Sequence, residues 1–110
     1  MARKHIYETD EVKEFVKSMS KTSIRKYIVA RQVLAETGYL RAPLGEKIAG
    51  CDDMFAIRIA TPGNERFFYC YAEGDFIAIL HGYRKTTARI PRVELEKALA
   101  LKKAIAEECA

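Results

Sequence analysis

The residues of this chain whose chemistry could form a binding site are arginines that lie on or beside predicted strands. Arg58 interrupts the apolar series from Met54 to Ala60, Arg66 opens the next apolar segment, and Arg84 and Lys85 follow a third. A planar guanidinium group binds phosphate through paired hydrogen bonds, so two or three arginines converging on one sheet face make a phosphate site. Because one face of a sheet is normally buried, Arg58 either points to water or needs an anionic partner.

A purely structural interpretation of Arg58 stands beside this one. A carboxylate such as Glu65 or Glu73 could pair with Arg58 across a hairpin, as opposite charges do on adjacent strands. Periodicity alone does not orient the strands, so the sequence leaves the phosphate site and the ion pair equally open.

Cysteines and histidines do not form the patterns of a metal site or a disulfide framework. The three cysteines, Cys51, Cys70 and Cys109, include no close pair, and His5 and His81 belong to no HExxH motif. Zinc sites need such spacings and disulfide frameworks need an even cysteine count, so we expect reduced thiols and no metal. Because His81 lies on an apolar strand, we expect it to be packed and hydrogen-bonded rather than catalytic.

The composition predicts one globular domain over residues 1–110. The chain is 49% hydrophobic and 31% charged, which provides enough apolar surface for a core and excludes disorder as the main state. Its apolar runs, such as Phe76 to Leu80, are far shorter than the roughly 20 residues of a membrane span. With no leader pattern, a cytoplasmic protein is expected.

The net charge of +4 is unevenly placed. Residues 15–35 hold five basic side chains and no acid, a pattern that usually marks a solvated helix face. Residues 84–92 hold four basic side chains and no acid, and they follow the strand that lies near Arg58 and Arg66 in the predicted sheet. This second cluster is the stronger indication of a polyanionic partner, although the small excess of charge only permits nucleic-acid binding.

Hydrophobic spacing predicts three helices. Apolar residues from Val12 to Met19 recur at helical intervals after Thr9, which can cap their first turn. A second helix is predicted over 22–37, with Gly38 as its left-handed stop, and the short connection predicts an antiparallel pair. Pro91 suits the first position of a closing helix.

Alternating patterns predict strands over 54–60, 66–72 and 76–83, with tight turns between them. Pro62 and Gly63 suit the first turn, proline by its fixed φ and glycine by its tolerance of a positive one. The third strand is apolar on both faces, so it should lie inside the sheet, and Tyr69 and Tyr71 are expected in the core. Weaker signals over 4–8 and 44–48 add marginal strands, giving an α+β fold with an antiparallel meander.

Four segments in combination resemble one protein family, the HigB-like, phage-derived branch of the RelE/ParE toxin superfamily. They are Met54-Phe-Ala-Ile-Arg-Ile59, Glu65-Arg-Phe-Phe-Tyr69, Ile79-Leu-His-Gly-Tyr-Arg-Lys85 and Ile90-Pro-Arg-Val-Glu-Leu-Glu-Lys-Ala98. The resemblance implies a twisted antiparallel sheet with the helical pair on one face and a basic concave face. It also implies a type II toxin that enters the ribosomal A site and cleaves translated mRNA, without metal or cofactor. The implied partners are the ribosome, the mRNA and an antitoxin, often of the helix-turn-helix type.

The resemblance also implies roles for individual residues. Metal-independent cleavage uses the ribose 2′-OH as nucleophile and needs a proton acceptor, a proton donor and positive charge. Arg58 and Arg66 would hold the scissile phosphate, while Lys85 or Arg84 would stabilise charge or protonate the leaving group. Further RNA contacts are expected from Tyr83, Thr86, Thr87, Arg89 and Lys47.

Two other functions stay open at this stage. One is a poison of DNA gyrase on the same fold, as the ParE-like members are, and the basic segment 84–92 argues mildly against it. The other is a binding module without catalysis that acts through its contacts with an antitoxin.

Overall fold

Five strands form one sheet in the computed structural model, which describes residues 3–51 and 53–109, the last two by backbone alone. Three helices pack against this sheet, so the predicted α+β class is confirmed. The elements in chain order are β1 (His5–Glu8), α1 (Asp10–Lys17), α2 (Lys21–Thr37), β2 (Gly45–Lys47), β3 (Phe55–Ile59), β4 (Glu65–Tyr71), β5 (Phe76–Arg84) and α3 (Arg92–Cys109).

The strand order is β1-β5-β4-β3-β2, which makes β4 the middle strand and places β5 inside the sheet, as its apolar run predicts. Strands β2 to β5 form the predicted antiparallel meander. The marginal strands near residues 4–8 and 44–48 are both present as β1 and β2. A wholly antiparallel sheet is wrong in one respect, because β1 pairs with β5 in parallel. Parallel neighbours need a long crossover, and α1, α2 and the meander supply it.

Both N-terminal helices begin and end where side-chain chemistry allows. The hydroxyl of Thr9 accepts from the amide of Val12 at the start of α1, as predicted. Ser20 caps α2 in the same way through the amide of Ser23. Gly38 ends α2 with a φ of 85°, the left-handed conformation that the sequence predicts there.

The sheet has two buried faces, each with its own core. Helices α1 and α2 cover one face, here called the α1/α2 face, with core residues such as Val12, Tyr27, Leu34 and Phe67. Helix α3 covers part of the other, the α3 face, where Ala98 packs among strand residues. Helix α3 packs mainly against β4 and β5 and so covers the α3 face only in part.

A β-bulge in β5 sets which residues face each core. Phe68 pairs with His81, but the next residue, Tyr69, pairs with Ile79, so Leu80 is the extra residue. Leu80 is buried in the core of the α3 face, and His81 stacks over Tyr83 on the same face. The alternation of β5 side chains between the two faces is therefore shifted by one residue after the bulge. A periodic sequence pattern does not reveal this shift.

Three local expectations need correction. Tyr69 is buried as predicted, but Tyr71 is 37% exposed, because it is the last residue of β4. Gly63 does not supply the positive φ of its turn, since Asn64 does, with φ 52°. Gly63 has another role: a Cβ there would overlap the buried carboxylate of Glu65, which would have to move. Pro91 lies one residue before α3, and its carbonyl accepts from the amide of Leu95.

Cys51 and Cys70 carry free thiols, and the side chain of Cys109 lies outside the described part of the chain. None of the helices over residues 3–51 and 53–109 is long and apolar enough to cross a membrane.

Candidate functional site

Strand register brings two of the predicted arginines and a tyrosine into one row. Arg58 on β3 lies directly opposite Arg66 on β4, and Arg66 lies directly opposite Tyr83 on β5. Directly opposite residues share a face, and the row belongs to the α3 face because Tyr83 packs in that core. The row lies at the end of the sheet where β3 leads into the turn before β4. We call these three residues the arginine row.

Arg66 occupies an unfavourable position for a charged side chain. It is only 5% exposed, and its Nη1 donates to the backbone oxygen of its own neighbour, Glu65, at 3.1 Å. Burial lowers the pKa of the Arg66 guanidinium, and the charge of Arg58 lowers it further. Guanidinium groups nevertheless stay protonated in proteins, so the fold carries the cost of two like charges placed side by side.

The carboxylate nearest to Arg58 is that of Glu46 on β2. Its Oε1 lies 3.9 Å from Arg58 Nε, a long ion pair with both side chains about one-third exposed. The sequence-based alternative of pairing with Glu65 or Glu73 is wrong. Glu65 lies on the α1/α2 face, where it accepts a hydrogen bond from the Ser23 hydroxyl at 2.9 Å. Glu46 escaped prediction because β2 is only three residues long and its register cannot be read from a pattern.

Buried nitrogen atoms without a hydrogen-bond partner concentrate on this face. Within the described residues there are three, Nε of Arg58, Nε of Arg66 and Nδ1 of His81. Leaving such a group unpaired costs about 1–3 kcal/mol, and more when it is charged. Two arginine donors in one row, each with an unused Nε–H, form a surface that an anion would stabilise.

Tyr83 completes the row with a phenol that holds its proton. Its ring stacks on Phe68, with centroids 5.4 Å apart. Burial raises the pKa of Tyr83 to about 12, against a lowering by the nearby Arg66 charge. At neutral pH this hydroxyl is therefore a hydrogen-bond donor and a proton source rather than a base.

His81 lies next to the row, between two carboxylates. It is 7% exposed, and its Nε2 lies 3.2 Å from Oε2 of Glu94 on α3. Its Nδ1 lies 3.5 Å from Oε2 of Glu11 on α1 without a hydrogen bond. The packed, hydrogen-bonded environment expected for His81 is confirmed, whereas its two carboxylate neighbours depend on long-range packing that the sequence does not display.

Arg84 is not brought to the row. Its Nη2 donates to the backbone oxygen of Ser18 at 2.9 Å, and its guanidinium lies 5.1 Å from the centre of the Phe15 ring. Both contacts are with the α1/α2 face. Lys85 follows Arg84 by one residue and is held by two hydrogen bonds with Asn64, from Lys85 N to Asn64 O and from Asn64 Nδ2 to Lys85 O. Alternation gives Lys85 the same face as Tyr83.

The other predicted contacts lie around the row rather than in it. Thr86, Thr87 and Arg89 are exposed in the loop between β5 and α3, where the Thr87 hydroxyl donates to the Arg89 carbonyl at 2.6 Å. Lys47 pairs with Phe55, whose side chain packs on the α1/α2 face, so register places Lys47 away from the row. Among the described residues, no cluster of His, Cys, Asp or Glu could hold a metal ion.

The sheet with its three helices forms a small α+β fold that brings two guanidinium groups and a phenol into one row. The sequence profile of the family described as "Phage derived protein Gp49-like (DUF891)" matches residues 14–103, and the chain belongs to that family. This agrees with the resemblance to a phage-derived family, while membership of the HigB-like branch stays a prediction. A search of curated proteins finds no match.

The fold is also similar to that of a solved structure. A chain in the "Crystal structure of archaeal RelE-RelB complex from Pyrococcus horikoshii OT3" superposes with a TM-score of 0.62 at 20% sequence identity. The match covers 80% of this chain and 100% of that chain. The RelE-type fold expected from the sequence is thereby confirmed.

Proposed function

We propose that this chain is the toxin of a type II toxin–antitoxin pair and that it cleaves mRNA on the ribosome. Membership of the Gp49-like family and the RelE-type fold support the toxin class. One observation carries the reaction: Arg58 and Arg66 lie side by side, each with a buried Nε atom that makes no hydrogen bond. The guanidinium fork matches the geometry of a phosphate group, and the phosphodiester backbone of RNA presents such groups in series.

The proposed reaction is a transesterification within the RNA. The 2′-OH loses its proton, its oxygen bonds to the adjacent phosphorus, and the bond from phosphorus to the 5′-oxygen breaks. The 5′-oxygen takes up a proton, so the products are a 2′,3′-cyclic phosphate and a 5′-hydroxyl end. Negative charge grows on the phosphoryl oxygens in the transition state, and fixed positive charge in a dry site stabilises it most.

The row supplies the positive charge and a proton donor, and the 2′-OH proton passes to solvent water because the row contains no base. Arg58 and Arg66 hold the phosphoryl oxygens and stabilise the extra charge. Tyr83, with its raised pKa, keeps a proton to donate to the phosphate or to the departing oxygen. Lys85, fixed through Asn64 at the end of β5, is the second candidate for protonating the leaving group. Arg84 is left out because its donors serve the α1/α2 face.

The proposal includes the partners and place of such a toxin. An antitoxin, of the helix-turn-helix type in this branch, would restrain it, and the ribosome would present the mRNA in the cytoplasm. The archaeal relative was solved as a RelE–RelB complex, which supports an antitoxin partner.

The test is a reconstituted translation reaction in which cleavage is located by primer extension. Wild-type protein should cut the message, and Arg66→Ala should lower the cleavage rate by about 100- to 1000-fold, the usual effect of removing one donor to a developing oxyanion. Arg92→Ala is the matched control, because that side chain is 91% exposed and its ion pair among the described residues is with Glu96 on its own helix. Intact mRNA at toxic doses would refute the nuclease. Inhibited DNA supercoiling would then indicate a gyrase poison, and harmless overexpression with antitoxin binding a non-catalytic module.

A further inference from the structure

A groove of about 440 Å³ lies between α2 and the edge of the sheet at β3. Arg25, Lys26 and Val29 form the wall on α2, and Pro43, Leu44 and Ile59 lie across from them. Arg58 lines the same groove at its sheet side, so the groove adjoins the arginine row. Apart from Arg58, the residues that line this groove have no role in the proposed cleavage reaction.

The lining of the groove is aliphatic where it meets solvent. Val29 is 57% exposed although it lies in the middle of α2, and Pro43 is exposed opposite it. Scattered single apolar residues on a surface need no explanation, but aliphatic side chains on both walls of one concavity are typical of a docking site.

Cations surround this aliphatic lining. Lys26 donates to the carbonyl of Thr61 at 2.7 Å, whereas Arg25 makes no hydrogen bond or ion pair with any other described residue. Residues 15–35, which include this wall, contain five basic side chains and no acid. Two of these five, Lys17 and Arg31, pair with Glu14 and Glu8. Of the three cations that line the groove, only Arg58 lies within ion-pair distance of a carboxylate of the described residues, that of Glu46. A ligand with acidic groups would therefore complement Arg25 and Lys26.

The chemistry favours a protein segment over RNA in this groove. Bases are recognised by stacking on aromatic rings or guanidinium planes, and the groove has arginines but no aromatic residue in its lining, which is in large part aliphatic. An amphipathic segment with acidic residues beside aliphatic ones matches both parts of the surface, since carboxylates pair with arginine and aliphatic groups cover Val29.

We propose that this groove binds an acidic, amphipathic segment of the antitoxin, with its carboxylates on Arg25 and Lys26 and its aliphatic side chains against Val29 and Leu44. This inference rests on the proposed function for the identity of the partner. The inference goes beyond the proposed function because it names the surface that binds the antitoxin and the chemistry of the bound segment.

The test measures the dissociation constant between this chain and the purified product of the reading frame adjoining its gene, by calorimetry. Val29→Asp should weaken binding at least tenfold, because it places a charge in the aliphatic lining and opposes the acidic segment. Val93→Asp is the matched control: Val93 is 58% exposed on α3, outside the groove, and the same change there should alter binding less than twofold. Arg25→Glu, on an exposed residue without partners, is a second variant that should also weaken binding at least tenfold.

Circular dichroism of each variant verifies that the fold is intact. Val29→Asp and Arg25→Glu proteins that bind within twofold of wild type would overturn the proposal, as would a wild-type chain that does not bind this product. Loss of binding to single-stranded poly(U) with antitoxin binding kept would assign the groove to RNA and equally overturn it. Cleavage of mRNA is read separately, so a chain that binds the antitoxin at the groove but cuts no message refutes only the proposed reaction.

Discussion

The two faces of the sheet treat their charged residues in opposite ways. On the α1/α2 face, Arg84 donates to the Ser18 carbonyl and Glu65 accepts from the Ser23 hydroxyl. On the α3 face, Arg58 and Arg66 are adjacent like charges, each with a buried Nε that makes no hydrogen bond. The charges on the first face are satisfied by neighbouring groups of the fold, whereas those of the row keep unused hydrogen-bond donors. This difference identifies the arginine row more sharply than charge counts do.

Charge alone points elsewhere. Residues 1–50 contain ten basic and six acidic side chains, whereas 51–110 contain nine of each. The half that contains the row is neutral overall. Its positive charge is concentrated locally because Arg58 and Arg66 lie on the same face of the sheet. Net charge therefore draws attention to the basic helix α2 in the first half, where we propose that a partner binds, and says little about the candidate site in the second.

The largest expected effect comes from making the same substitution on the two faces. Arg66→Met should lower mRNA cleavage by about 100- to 1000-fold while leaving the free energy of unfolding unchanged or higher, because it removes a buried charge that lies beside the like charge of Arg58. Arg84→Met should do the reverse. It should cost about 1–2 kcal/mol of stability through the lost hydrogen bond and cation–π contact and change cleavage less than threefold.

Urea unfolding and primer extension on the two purified variants provide the measurement. An Arg84→Met protein that folds normally and cuts no mRNA would place Arg84 in the reaction despite its position on the α1/α2 face. A loss of stability in Arg66→Met larger than that in Arg84→Met would contradict the division between the faces.

A smaller effect concerns the proton of Tyr83. Burial raises the pKa of Tyr83 to about 12, above the ordinary value of about 10 for tyrosine, so the folded chain keeps this proton when the unfolded chain has lost it. The free energy of unfolding therefore falls as the pH rises above about 10. It falls by about 1.4 kcal/mol for each pH unit between the pKa of the unfolded chain and that of the folded chain. Unfolding free energies at pH 9 and pH 11 should differ less in Tyr83→Phe than in wild type, by about that amount.

Tyr27 and Tyr69 are also buried tyrosines with raised pKa values, and they contribute equally in both proteins. They make the wild-type protein sensitive to alkali in any case, so only the difference between the two proteins is informative. Equal losses of stability between pH 9 and pH 11 would mean that Tyr83 is solvated and does not belong to a dry row.

Much of the fold follows from local pattern. The strand predicted over 54–60 contains β3, and the cap at Thr9 and the stop at Gly38 lie where expected, because local spacing and hydrogen bonding determine them. The parallel pairing of β1 with β5 was not predictable in this way, since four residues with a weak pattern acquire their partner only when the whole meander is formed.

The site was predictable only in part, for a related reason. Arg58, Arg66 and Tyr83 share a row because antiparallel pairing aligns them, and the sequence placed each on its strand. Adjacent Arg84 and Lys85 could not both reach one face of an extended strand, and the bulge at Leu80 determines which of them does. Glu46, Glu11 and Glu94 come to the site through register and helix packing, neither of which a single sequence displays.

The salt dependence of RNA binding tests the central claim, that the arginine row binds phosphate, most directly. Binding of a single-stranded oligouridine would be measured from about 50 to 200 mM salt for wild type, Arg66→Ala and Arg84→Ala, since each phosphate contact contributes about 0.7 to the logarithmic slope. The row predicts a slope shallower by about 0.7 in Arg66→Ala and unchanged in Arg84→Ala. A wild-type slope in Arg66→Ala together with a shallower one in Arg84→Ala would contradict it.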